Sequence, residues 1–225
     1  MAADRRCPKE SRLRVEQTMS ESSVELWLVR HGETEWSLDG RHTSVTDIPL
    51  TEHGRERARE LRDYLAGRKF AAVFVSPMQR ARETCAIAGY GDVAQVDPNL
   101  MEWNYGESEG KTTAEMRAKY GPSWSVWANP IIGGESVEQV GDRADKMIAR
   151  AMAAASAANA GAAADGSAAV ALFAHAHVLR ILAARWIGLP AVDGKMFALG
   201  TGSLSMLGYE REQRVISRWN RSFEE

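Results

Sequence analysis

The chain has 225 residues, 28 basic against 30 acidic side chains and a formal charge of −2 at pH 7. That length suffices for one α/β domain with a full core, and the near-neutral balance argues against a polybasic nucleic-acid surface, so any anion site must be a local cluster. Two cysteines without a CxxC spacing, Cys7 and Cys85, fit a reducing cytoplasm better than a disulfide framework, and no apolar run reaches the roughly 18–20 residues of a membrane span.

Residues 1–23 are polar and charged, with Arg5, Arg6, Lys9, Arg12 and Arg14. Asp4, Glu10 and Glu16 argue against an organelle transit peptide. We expect a disordered tail here, with Met19 a second candidate start, followed by one domain over residues 24–220. Val24–Arg30 is a β-rich apolar run ending at a glycine and reads as a buried strand. Residues 32–50 read as a polar functional loop. Thr51 can cap a helix to about Ala66 that buries Ala58, Leu61 and Leu65. Ala71–Ser76 is a second strand, and Pro77 suits the first turn of a helix to about Ala88. Val93–Val96 is a weaker third strand.

Residues 98–135 are irregular, with a helix expected at Thr112–Tyr120, and carry Trp103, Trp124 and Trp127. Ser136 and Gln139 form a capping-box pattern before a helix that turns Val137, Val140, Ala144, Ile148 and Ala151 to one side. The Ala/Gly/Ser-rich stretch 153–168 extends that helix at first and then becomes a loose connection. Ala169–Ala174 is a strand and Val178–Ile187 an apolar helix ended by Gly188 and Pro190. Strands at Leu204–Tyr209 and Val215–Trp219 follow. Alternation of strands and helices predicts an α/β fold, a mostly parallel sheet with helices on both faces. Three strand ends then bring Arg30 and His31, Ser76 and Arg80, and His175 to one edge, where open α/β sheets bind ligands.

A phosphate ester is a dianion near neutral pH, and Arg30 and Arg80 suit its oxygens. Helix N-termini after Pro77 and His175 offer further N–H donors. An unprotonated His31 can attack phosphorus, and nearby arginines disfavour a proton on it. Glu102 or Glu33 can protonate the leaving alkoxide. Each residue also has a plainer reading: His31-Gly32 as a loop, Arg80 on a solvated helix face, Glu102 in a surface ion pair. His175 and His177 form an H-x-H pair with no third ligand spaced to complete a metal site.

Arg30-His31-Gly32-Glu33-Thr34-Glu35-Trp36 resembles the signature of the histidine phosphatase superfamily, in the branch that contains the phosphoglycerate mutases. Further segments resemble the family in order: Thr46–Gly54 (TDxPLTxxG), Ser76–Thr84 (SPxxRAxxT), Leu100–Gly110 (LxExxxGxxEG), Gly133–Ser136 (GGES) and Phe173–Arg180. The resemblance spans about residues 24–209. It implies His31 as phosphorylated nucleophile, with Arg30, Arg80 and His175 binding the phosphoryl group and Glu102 as general acid and then base. It implies substrate contacts from Thr43 and Ser44 in the first loop. Glu33, Ser37, Trp103, Tyr105, Ala176 and His177 complete the expected pocket. It implies no metal and no organic cofactor. Ala176 stands where the family has glycine, Ser37 where mutases have Asn, and Ser44 where a glycine is common.

The mutase pattern ExRHYG reads Glu102-Trp103-Asn104-Tyr105-Gly106 here, and the segment downstream is short. A mutase must retain a second phosphate and exclude water. Lys111, Arg117 and Lys119 are available, but so are three tryptophans, which favours a phosphatase with a partly aromatic lid. The pattern is most similar to acid phosphatases and sedoheptulose-1,7-bisphosphatase-like sugar phosphatases. The implied partner is a small-molecule phosphate ester, with neither nucleic acid nor membrane; homo-oligomerisation stays open. The alternatives are a phosphoglycerate mutase and, remotely, a non-catalytic phospho-ligand binder.

Overall fold

A computed structural model describes residues 24–161 and 168–223. The expected tail, with Cys7, lies outside the described residues, as does the expected loose connection at 162–167. The central strand β1 (Glu25–Arg30) is buried along its middle, and β4 (Ala169–Ala174), beside it, is buried throughout. With β2 (Ala72–Val75), β3 (Ala94–Val96), β5 (Leu204–Glu210) and β6 (Gln213–Arg221) they form a six-stranded sheet in the order β3-β2-β4-β1-β5-β6. The first four are parallel to one another; β5 and β6 add as an antiparallel pair. The sheet is thus mostly parallel and mixed, as the alternation predicts.

Side-chain alternation divides the core into two layers. Trp27, Val29, Val73, Val75, Ala171 and Phe173 face α2 (Glu52–Leu65) and α3 (Gln79–Ile87), which contribute Leu61, Leu65, Ala81 and Cys85. Leu26, Leu28, Phe74, Val170 and Leu172 face α5 (Val137–Gly161) and α6 (Ala176–Trp186), which contribute Val140, Met147, Ile181 and Leu182. Among the described residues no helix is long and apolar enough to cross a membrane.

Several boundaries differ from expectation for local reasons. The 32–50 loop contains a helical turn, α1 (Glu35–Leu38), because Thr34 and Ser37 close a capping box. α3 begins after Pro77, at Gln79, because Asp47 accepts the Gln79 N–H at 2.7 Å. α4 (Thr113–Tyr120) begins after Thr112, which shares a capping box with Glu115. Ser136 and Gln139 do exchange the expected bonds, at 2.8 and 3.3 Å. α5 continues through the Ala-rich stretch as far as Gly161, since alanine is the best helix former.

Candidate active site

Register decides the site. Arg30 pairs with Ala174 across the parallel β1–β4 ladder, so the next residues, His31 and His175, emerge side by side. Their rings lie 5.1 Å apart, at 62° to each other. Gly32 then passes close to α2: a Cβ there would sit 2.5 Å from the Gly54 carbonyl oxygen, and one on Gly54 would sit 2.3 Å from that of Glu33. Only glycines permit this backbone contact.

His31 is 7% exposed. Its Nδ1 lies 2.7 Å from the Gly32 carbonyl, which can only accept, so the ring proton sits on Nδ1 and Nε2 carries the lone pair. Burial, and then the charges of Arg80 and Arg30, hold this imidazole well below its usual protonation range. Arg30 lines the same cavity and donates from Nη1 to the Leu199 carbonyl. Its buried Nε is left without a protein partner among the described residues. Burial draws the Arg30 guanidinium down to about 10.

Glu102 is the carboxylate at this cavity. It receives N–H bonds from Trp103 and Val178 at 2.9 Å and from His177 at 3.0 Å. The N-terminus of α6 therefore serves Glu102, whereas we expected its donors to meet the phosphate. The α3 N-terminus is likewise committed, to Asp47 and Ser76.

Arg80 and His175 are fully buried and lie outside the cavity lining. Arg80 donates to the carbonyls of Thr43, Ser44 and Thr46 and from Nε to His175 Nδ1 at 3.2 Å. His175 then carries its proton on Nε2 and donates it to Ser76 Oγ at 2.7 Å. In this structure both residues stand behind His31, their polar atoms turned to protein partners and not to the cavity.

The cavity, about 390 Å³, brings together Arg30, His31, Ser37, Thr43, Glu102, Tyr105, Ala176 and His177 from the residues singled out in the sequence. Three residues expected in the pocket lie outside this lining. Glu33 lies outside the lining, bonded to Thr51 and His53, so Glu102 is the carboxylate in the cavity. Ser44 is fully buried; its hydroxyl donates to the Glu102 carbonyl and its N–H meets Glu109. Trp103 is buried behind the wall, with its indole N–H on the Glu135 carbonyl. Sequence reasoning missed Thr34, Arg41 and His42 as lining residues and left Arg117 and Trp127 only as lid candidates. His42 directly precedes Thr43, the only signal that pointed to it. His175 and His177 diverge to different partners, and among the described residues no three His, Cys, Asp or Glu side chains could hold a metal.

The model of branch 1 of the histidine phosphatase superfamily matches residues 26–222. An acid phosphatase of Mycobacterium tuberculosis is 39% identical over 85% of this chain and 90% of its own length. A sedoheptulose 1,7-bisphosphatase of Saccharomyces cerevisiae is 34% identical over 72% of this chain and 67% of its own. The solved structure of a Mycobacterium tuberculosis open reading frame product superposes with a TM-score of 0.79 at 35% identity, covering 89% of this chain and 99% of that one. A mycobacterial glucosyl-3-phosphoglycerate phosphatase superposes at 0.75 with 27% identity, covering 88% and 99%.

Proposed function

This chain belongs to branch 1 of the histidine phosphatase superfamily, and we propose that it hydrolyses small-metabolite phosphomonoesters through a phosphohistidine on His31. The observation that carries the reading is the Nδ1–Gly32 bond. It leaves Nε2 unprotonated at a cavity wall, beside two arginines that keep it so.

In the first step Nε2 attacks phosphorus and the P–O ester bond breaks. The departing alkoxide takes a proton from Glu102. In the second step Glu102 removes a proton from water, which attacks phosphorus; the P–N bond breaks, returning the lone pair to Nε2 and releasing inorganic phosphate. Arg30, which lines the cavity, is a charged donor available to a phosphoryl oxygen. Arg80 acts on His31 through its charge from behind. Direct phosphoryl contact by Arg80 or His175 would require their present hydrogen bonds to open. Every step uses side chains alone, without metal or organic cofactor, and a cytoplasmic enzyme fits the two-cysteine composition.

Hydrolysis is favoured over mutase chemistry by relatives named phosphatases that match most of the chain. Two relatives named phosphoglycerate mutases match about half of it. Release of free phosphate from phosphoglycerates and sugar phosphates supports the hydrolase. Phosphoglycerate interconversion without phosphate release overturns it.

A further inference from the structure

Besides His31, two further imidazoles line the cavity, His42 and His177. His42 is 9% exposed and rigidly held. Its backbone N–H and its Nδ1 both meet the Lys111 carbonyl, at 2.9 and 2.7 Å. Its ring stands edge-on to Tyr105 and Trp124, with centroids 5.0 and 5.7 Å away. A carbonyl only accepts, so Nδ1 carries the proton and Nε2 is an acceptor with no protein partner among the described residues.

His177 has the opposite polarity. Its Nδ1 meets the hydroxyl of Tyr105. The hydroxyl proton has no other protein acceptor among the described residues, so we assign it to the bond with Nδ1, which leaves the His177 proton on Nε2. His177 packs edge-on against Trp127, centroids 5.0 Å apart. Burial keeps both imidazoles below their usual protonation range, and keeps the Tyr105 phenol well above its own.

One wall of the cavity therefore presents an uncharged acceptor and an uncharged donor. A hydroxyl group, which donates and accepts, satisfies both. A carboxylate or second phosphate could accept from His177 but would set its oxygens against the His42 lone pair, which it cannot satisfy. The volume, about 390 Å³, has room for a carbon body beyond the phosphoryl group. We propose that His42 and His177 are specificity-determining residues that read hydroxyl groups on the substrate's leaving group, His42 as acceptor and His177 as donor, so that the enzyme prefers polyhydroxylated phosphate esters. The proposal rests on the hydrolase reading above.

The test compares phosphate release from ribose 5-phosphate and from phenyl phosphate, whose leaving group has no further hydroxyl. His42→Phe keeps the aromatic packing and removes the acceptor. His42→Asn keeps a donor for Lys111 and also lacks the acceptor. His42→Gln returns an amide oxygen near the Nε2 position. The ratio of kcat/KM for ribose 5-phosphate over phenyl phosphate should fall about tenfold in the first two variants. It should recover to within about threefold of wild type in the third. Equal losses on both substrates, or no change in the ratio, would make His42 a packing residue and overturn the proposal. A wild-type enzyme that releases phosphate from neither substrate would instead overturn the hydrolase reading itself.

Discussion

Arg80 and His175 meet through a 3.2 Å hydrogen bond from the guanidinium Nε–H to the imidazole Nδ1. The same guanidinium collects three carbonyls from residues 43–46, so one side chain ties the first loop to the end of β4. An ammonium cannot span those four acceptors in one plane. Arg80→Lys should therefore lose stability as well as activity. A buried carbonyl left without a donor costs about 1–3 kcal/mol, or about 2–10 °C in Tm for a domain of this size. Calorimetry and kcat/KM should both fall; a Tm equal to wild type would remove Arg80 from the architecture.

Glu102 is held by three N–H donors, and Glu102→Gln leaves the amide NH2 facing at least one of them. Turnover of alkyl phosphates should drop about 10²–10⁴-fold. p-Nitrophenyl phosphate, whose leaving group needs no proton, should lose less in the first step and show a burst of nitrophenol. Equal losses with alkyl and aryl esters would exclude Glu102 as the acid.

Glu109 accepts the N–H groups of Ser44 and Thr46 with one carboxylate and so supports the loop that carries His42 and Thr43. Hydrogen bonds to a charged acceptor contribute about 1.5–3 kcal/mol. Glu109→Gln should lower the urea midpoint and raise KM. Unchanged values of both would show the loop to be held by its other contacts.

His31, His42, His175 and His177 all protonate less readily folded than free, chiefly through burial. Unfolded, they take protons near pH 6.5. Between the folded and unfolded values the unfolded state binds more protons, so stability rises with pH there. The contribution is complete above about pH 6.5 and is lost as pH falls below it, at up to about 1.4 kcal/mol per pH unit for each histidine. Urea unfolding between pH 7.5 and 5 should show this slope, and His177→Gln should reduce it by about one proton. An identical slope in the variant would contradict the assignment.

Much of this was legible in the sequence because periodicity and motif order report backbone placement. The apolar runs of β1 and β4 and the positions directly after them located His31 and His175 without any contact information. Which way side chains turn at that edge was not legible. Ser44 lies next to Thr43 in sequence, yet the chain turns it under the loop toward Glu102, which only tertiary contacts decide. Trp103 read as a lid residue because aromatic composition does not say which indole finds a buried carbonyl. His42 was passed over because a histidine beside a substrate loop carries no periodic signal; it is the 110–112 backbone, 69 residues later, that orients it.

The central claim is that His31 takes the phosphoryl group. Rapid alkaline quench during turnover of a ³²P-labelled phosphomonoester, followed by peptide mapping, tests it directly, since a phosphoramidate survives base and is lost in acid. Acid-labile label on the peptide containing His31, absent in His31→Ala, is the expected result. Label on another residue, or full turnover by His31→Ala, would contradict the account.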